Sequence, residues 1–315
     1  MMRSLLLRGI PLGVQRRLTP RAPVIVFFHG LGQEQVYIRH LYRSRSAAEF
    51  EELLDQLLKR FTPLQDLSAE HLARADSRHF VITFDDGLRS TREIAVPILE
   101  RKGLPAIFFI NPDFISGKSD FYRFQASLLC HTLKKSGPEV YPLVREILRG
   151  AGCADQGNLQ VALKAVEYSR RQVYREIARA LDLDMDAFFR DARPFMTTDD
   201  ARDLQGRGFY LGAHSCDHPR YCEIPLDEQI RQTRLSMEWV QETFELSYRY
   251  FAFPFHNRGV GTPFYQATAG DVDLYFTTHG WWLPERNRSV YHRVGLDSAT
   301  SAVREIRSRW RPPRA

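Results

Sequence analysis

Short apolar runs recur along the 315-residue chain, and their lengths separate strands from helices. Residues 24–28 (Val-Ile-Val-Phe-Phe), 80–84 (Phe-Val-Ile-Thr-Phe), 105–110 (Pro-Ala-Ile-Phe-Phe-Ile) and 209–213 (Phe-Tyr-Leu-Gly-Ala) are rich in β-branched and aromatic residues. Runs this short, with little polar alternation, read as buried strands. Between them the period becomes helical. Ser46-Ala47-Ala48-Glu49 has the spacing of a capping box, and Phe50, Leu53, Leu54, Leu57 and Leu58 form an apolar stripe behind it. A further helix is expected to begin with Ser90 and Glu93, and another covers 230–244 before a Phe-rich strand at 251–255. Strands alternating with helices predict an α/β fold.

Residues 113–197 depart from that alternation. Leu128, Leu129, Leu133 and Val140 lead into the apolar-rich stretch 141–148, and Ala/Arg/Glu-rich helical stretches follow. The segment is too organised for a flexible linker; it reads either as a lid or selecting subdomain, or as an inert packed insertion. No internal repeat is visible.

Composition narrows the class. A chain of 36.6 kDa with 43% hydrophobic residues has enough apolar material for one large folded domain and excludes a disordered chain. The formal charge of +6 arises from 44 basic against 38 acidic residues; it is compatible with an anionic glycan or nucleotide-linked sugar, and equally with plain solvation. Arg304, Arg307, Arg309, Arg311 and Arg314 surround Trp310 in a basic end that reads as a solvated helix and tail, with peripheral membrane contact as the alternative; no nucleic-acid module accompanies it. Cys130, Cys153, Cys216 and Cys222 make no Cys-x-x-Cys pair or disulfide framework. Arg8 and Pro11 interrupt the apolar residues near Met1, so neither a signal peptide nor a membrane span is expected, and a cytoplasmic location follows as the expectation.

The chemistry concentrates at two strand ends. Thr83-Phe84-Asp85-Asp86-Gly87 places two carboxylates where a strand stops, and adjacent acids on an ideal strand face opposite ways, so the turn at Gly87 is needed to bring both to one cavity. Alone, Asp-Asp-Gly also reads as a surface turn. His214-Ser215-Cys216-Asp217-His218-Pro219 follows the fourth apolar run, and two imidazoles four residues apart converge on a metal from a helical turn or a tight loop. The zinc-protease spacing is similar, but the Glu that chemistry needs between the histidines is missing. Together the segments offer an Asp-His-His metal site and a second carboxylate to activate water. His29, ending the first run, either lines the cavity or serves a local turn.

These segments resemble the polysaccharide deacetylase family, also called carbohydrate esterase 4 or the NodB-homology group, whose Thr-Phe-Asp-Asp-Gly and His-Ser/Thr-x-x-His-Pro motifs stand at 83–87 and 214–219. The resemblance implies an irregular or incomplete (β/α) barrel, with a catalytic domain over 22–296, interrupted by the mainly helical insertion 113–197 and followed by a basic helix and tail at 297–315. It implies Asp85 as general base, and Asp86, His214 and His218 as ligands of a divalent metal, zinc (Zn2+) first, with Co2+, Ni2+ or Mn2+ accepting the same donors. The third family segment, Arg-x-Pro-Tyr, is replaced around Phe251-Ala252-Phe253-Pro254-Phe255: Ala252 stands for the Arg that tunes the base, and Phe255 retains the backbone N–H for an oxyanion. Either another cation, with Arg258 as the candidate, then reaches Asp85, or the base is tuned differently. Val290-Tyr291-His292 matches Leu-x-His, which implies His292 as general acid, with Arg293 as the competing residue and Asp271 or Asp273 as an orienting partner. The implied activity is N-deacetylation of an N-acetylated sugar, glycan or nucleotide-linked sugar; the alternatives are hydrolysis of another amide or an O-acyl ester, or a catalytically weak glycan-binding protein.

Overall fold

The apolar runs become parallel strands because each supplies two hydrophobic faces. In the computed structural model, which describes residues 22–153, 157–278, 289–299 and 301–309, seven strands follow one another round a ring: β1 (Val24–Phe28), β3 (His79–Phe84), β4 (Ala106–Ile110), β5 (Tyr210–Ala213), β6 (Tyr250–Ala252), β7 (Leu274–Thr277) and β8 (Val290–Gly295). β1 pairs with both β3 and β8 and so closes the barrel, while β2 (Thr62–Pro63) only extends the start of β3. The expected α/β barrel is present, and its hydrogen-bonded circuit is complete.

Alternation along the strands sorts the side chains. Ile25, Val81, Ile107, Phe109, Tyr250, Leu274, Phe276 and Tyr291 fill the interior. Their neighbours, among them Val24, Val26, Phe28, Phe80, Ile82, Phe84 and Phe108, pack outward beneath the helices. Burying a side chain of this size contributes about 1.5–3 kcal/mol, so a strand with both faces covered has little tolerance for polar residues except at its ends. Its C-terminal end is where the chain changes from apolar to polar.

The helices are α1 (Ala47–Leu58), α2 (Ala69–Arg74), α3 (Val96–Lys102), α4 (Pro112–Ile115), α5 (Tyr122–Lys135), α6 (Tyr141–Gly150), α7 (Leu159–Ala165), α8 (Val173–Ala180), α9 (Met185–Ala192), α10 (Thr198–Gly206), α11 (Leu226–Phe244), α12 (Thr262–Thr268) and α13 (Ala302–Arg309). The capping box forms as expected: Ser46 Oγ accepts from the Glu49 amide (3.2 Å) and the Glu49 carboxylate accepts from the Ser46 amide (3.0 Å). Phe50, Leu53, Leu54 and Leu57 are buried, but Leu58, the last residue of α1, is 37% exposed. Ser90 does not cap a helix. Its hydroxyl accepts from the Leu31 amide (3.2 Å), and a π-helical turn over Thr91–Ala95 precedes α3. Helix α11 starts four residues earlier than its apolar pattern indicated.

Helices α4 to α9 supply the extra material of the insertion. The chain returns from them beside the Asp-Asp-Gly turn, where the Met196 amide donates to the Gly87 carbonyl (2.9 Å) and the Arg89 amide to that of Pro194 (2.9 Å). Residues 1–21 and 310–315, and with them the N-terminal reading and the end of the basic tail, lie outside the described residues.

Candidate metal centre

Three strands deliver polar side chains to the same end of the barrel. Interior alternation runs Ile25, Phe27, His29 from β1; Val81, Thr83, Asp85 from β3; and Tyr291, Arg293 on β8. Asp86 should then point away. It does not, because Asp86 and Gly87 both take left-handed backbone, at φ 70° and 63°, and the chain folds back on itself. Asp tolerates this conformation better than most residues. A β-carbon on Gly87 would lie 3.1 Å from Ile115 and 3.3 Å from Ile110, so the turn is tightly covered as well as left-handed.

The histidine segment is a tight loop rather than a helical turn. Ser215 and His218 are left-handed, both at φ 63°, and the His218 amide donates to Ser215 Oγ (3.0 Å). Two supports hold the loop. From the core, the fully buried Asn111 amide donates to the His214 carbonyl and to that of Ser215 (3.1 Å). From the insertion, Tyr168 Oη donates to Asp217 (2.5 Å), whose other oxygen accepts from Gln232 (2.9 Å), and Phe121 packs on the His218 ring at 4.4 Å.

Asp86, His214 and His218 meet as a result, their candidate ligand atoms all within 4.8 Å of one another. Asp86 Oδ1 is 3.1 Å from His218 Nε2 and 3.5 Å from His214 Nε2. His214 Nδ1 lies 2.8 Å from the Ala252 carbonyl, which fixes the proton on that nitrogen and leaves Nε2 with its lone pair inward. Burial, only partly opposed by Asp85, pushes the His214 imidazole down to about 4, so it is neutral near pH 7. Asp86 Oδ1 and His214 Nε2 are buried without a hydrogen-bond partner. Orphaned acceptors facing each other in a closed cavity cost free energy, and a divalent cation satisfies both. The donor set therefore fits a metal.

Asp85 is held differently. Arg293, fully buried, forks onto both its oxygens at 2.6 and 2.9 Å, touches Thr83 Oγ1 at 3.1 Å, and lies over the rings of Phe27 and Phe109. Burial alone would raise the Asp85 pKa; Arg293, helped by His214, brings it below the usual carboxylate value. The missing cation at position 252 is thus supplied from the far end of the chain. Arg258 is exposed, and Asp271 and Asp273 bind Arg234 and Arg249. His292 lies on the face of β8 opposite Arg293, in register with Thr277 and on the side of Val290 and Val294. The strand brings Arg293 to the cluster and does not bring His292.

Phe255 sits beside the site. Strand β6 ends at Ala252, so Phe251 and Phe253 share one face, while Phe255, left-handed at φ 55°, breaks the alternation and swings its ring to 4.7 Å from that of His218. One further imidazole stands across from the carboxylates. The Asp85 amide donates to the Phe28 carbonyl (3.1 Å), which sets His29 level with Asp85. His29 Nδ1 is 2.7 Å from Asp297, whose other oxygen accepts the His29 amide (2.9 Å), and Tyr42 stacks on the ring. Burial, the largest single effect, would on its own lower this imidazole's pKa; the charge and hydrogen bond of Asp297, together with Asp86 and Asp85, outweigh it and push it up to about 9. Asp297 was not singled out from the sequence, because nothing local ties it to His29, 268 positions away.

No protein-family model matches the chain, and no curated protein matches it. Its fold does match solved structures. The Streptococcus pyogenes deacetylase PplD, determined in complex with acetate, is 12% identical, with 93% of this chain and 100% of that one covered at a TM-score of 0.57. A polysaccharide deacetylase from Bacillus cereus is 12% identical over 92% of this chain and 69% of its own, TM-score 0.55. IcaB from Ammonifex degensii is 17% identical over 89% and 94%, TM-score 0.51. The chain shares the fold of these three proteins, the first two of which are named as deacetylases, and carries helices beyond the barrel core.

Proposed function

We propose that this chain is a metal-dependent N-deacetylase that hydrolyses an acetamide on a carbohydrate or glycan precursor. The observation that carries the reading is the pairing of two groups: orphaned Asp86 and His214 atoms facing His218, and beside them a carboxylate kept ionised by a buried arginine. Zinc is the cation we assign to Asp86, His214 and His218; when bound it supplies Lewis acidity and lowers the pKa of water toward neutrality.

The chain's own groups do the rest. Asp85 accepts the proton of the attacking water, using lone pairs that the Arg293 fork leaves free. The Phe255 N–H donates to the oxygen on which negative charge develops. The departing nitrogen takes a proton from His29, which Asp297 keeps charged; we assign the acid to His29 and not to His292 because the latter lies across the strand from Asp85. A cationic acid favours the amide over the ester reading, since an amine leaving group needs the proton far more than an alkoxide does. Four cysteines without a disulfide support a reducing, cytoplasmic setting and hence a precursor glycan. No described helix is long and apolar enough to cross a membrane.

The test is acetate release from a panel of N-acetylated sugars, nucleotide sugars and oligosaccharides by metal-loaded wild type and Asp85→Asn. The variant is expected to lose about 10²–10⁴ in rate while binding the same amount of metal. Equal rates for the two proteins, or no release by wild type from any substrate, would overturn the proposal.

A further inference from the structure

A face of the insertion, well away from the metal ligands, carries lysines that form no ion pair with a carboxylate among the described residues. It forms where three pieces of backbone meet. The His40 amide donates to Ser127 Oγ (3.2 Å), and that hydroxyl donates to the Val36 carbonyl (2.9 Å), which pins the segment after β1 to helix α5. Along the same helix, Arg123 donates to the Lys164 carbonyl and the Cys130 thiol to that of Gln160 (3.7 Å), which ties α5 to α7. His40, His131, Lys134 and Lys164 are gathered by these bonds, with Lys135 beside them.

Among the described residues no carboxylate forms an ion pair with His131, Lys134, Lys135 or Lys164, whereas Lys102 and Lys118 both have acidic partners. The two imidazoles register the field. Burial lowers the pKa of each, the neighbouring lysines lower it further, and no carboxylate offsets the effect at His131. The choice of cation is also informative. Only six of the chain's 44 basic residues are lysines, and three of the six stand here. Lysine is a hydrated point charge on a flexible stem, suited to a diffuse anionic surface rather than to the bidentate grip of one carboxylate or phosphate.

Exposed apolar groups border the lysines at Tyr141 and Val161, and Leu143 is exposed on the same helix as Tyr141. Tyr141 (37% exposed), Leu143 (45%) and Val161 (47%) belong to α6 and α7. Val161 precedes Lys164 by three positions and so shares its face of α7, and Tyr141 Oη reaches the Leu133 carbonyl (3.5 Å), next to Lys134. A soluble polyanion would be bound by the charges alone. Lysines interleaved with exposed apolar side chains match the boundary of a bilayer, where headgroups meet acyl chains.

We propose that this face docks the protein on an anionic lipid surface. Helix α5 starts beside Phe121, which packs on His218, and runs fourteen residues to Lys135, so at 1.5 Å per residue the docked face holds the metal ligands roughly 20 Å from the headgroups.

Co-sedimentation of the full chain with phosphatidylcholine vesicles, with and without phosphatidylglycerol, tests this. Wild type should partition onto the anionic vesicles only. Combining Lys134→Glu, Lys135→Glu and Lys164→Glu should reduce partitioning about a hundredfold, at roughly fivefold per lysine, with metal stoichiometry and thermal midpoint unchanged. Combining Tyr141→Ser with Val161→Ser should weaken it as well. The proposal is overturned if wild type ignores anionic vesicles or if the lysine variant partitions like wild type. It is equally overturned if the apolar variant binds undiminished while dextran sulfate displaces both proteins, which would mark the face as a site for a soluble acidic polymer.

Discussion

His29 and Asp297 set each other's charge, and the consequence is measurable without any substrate. In the metal-free protein the imidazole is held near 9 against an ordinary value of 6.5, with Asp297 as the principal cause of the rise. A group whose folded pKa is raised contributes stability that is full below its unfolded pKa and is lost as pH climbs through the folded one. The window is therefore pH 6.5 to 9. At about 1.4 kcal/mol per pKa unit the contribution is on the order of 3 kcal/mol. Asp297→Asn is expected to be less stable than wild type by about that amount at pH 6.5, and the gap should close by pH 9; urea unfolding of the two metal-free proteins across the window decides it. A gap that stays constant would mean that Asp297 supports the loop without holding a proton on His29. The Asp85–Arg293 pair follows the opposite logic: its carboxylate is held low, so that pair is complete from neutral pH upward and fails only in acid.

At the scale of elements, the loop between β5 and α11 is the part that needs most support, since two of its six residues from His214 to Pro219 are left-handed without being glycine. Such backbone costs on the order of 1–3 kcal/mol per residue and persists only where the surroundings hold it. Asn111 does so by donating to two consecutive carbonyls of the loop. Asn111→Ala is expected to weaken metal binding by about 10- to 100-fold, the usual effect of losing a group that orients ligands. Competition titration against a chromophoric chelator measures it, and an unchanged affinity would show that Tyr168 and Gln232 suffice to hold the loop. The same elements explain what was legible in the sequence. Asp85 and Asp86, and likewise His214 and His218, lie within a few positions of each other, so their chemistry survives as a local motif. Which of His292 and Arg293 enters the barrel depends instead on register: Arg293 pairs with Ile25, an interior residue, and His292 with Thr277. A slip of one residue would exchange them, and neither apolar pattern nor composition in that stretch specifies the slip. Asn111 had no signal at all, because its partners are backbone carbonyls more than a hundred positions away.

For the molecule as a whole, the barrel's closure and the site are one event. β1 carries His29, β3 carries the acids, β5 leads to the histidines and β8 brings Arg293 and Asp297 round to meet β1, so only the complete circuit assembles the cluster. A cation at Asp86, His214 and His218 therefore binds the folded chain and has no comparable site in the unfolded one. Mass action then makes stability depend on metal concentration: a free ion at a hundred times its dissociation constant adds about 2.7 kcal/mol. In a chain of this size that is a rise of several degrees in the thermal midpoint. Wild type stripped with a chelator should melt lower, recover on adding zinc, and rise further with each increment. His218→Ala should melt at a midpoint that zinc no longer moves, since removing one of three donors leaves the cation with Asp86 and His214 only. If zinc raises the midpoint of that variant as much as that of wild type, the stabilising ion sits elsewhere, and the orphaned atoms at the mouth of the barrel need another explanation.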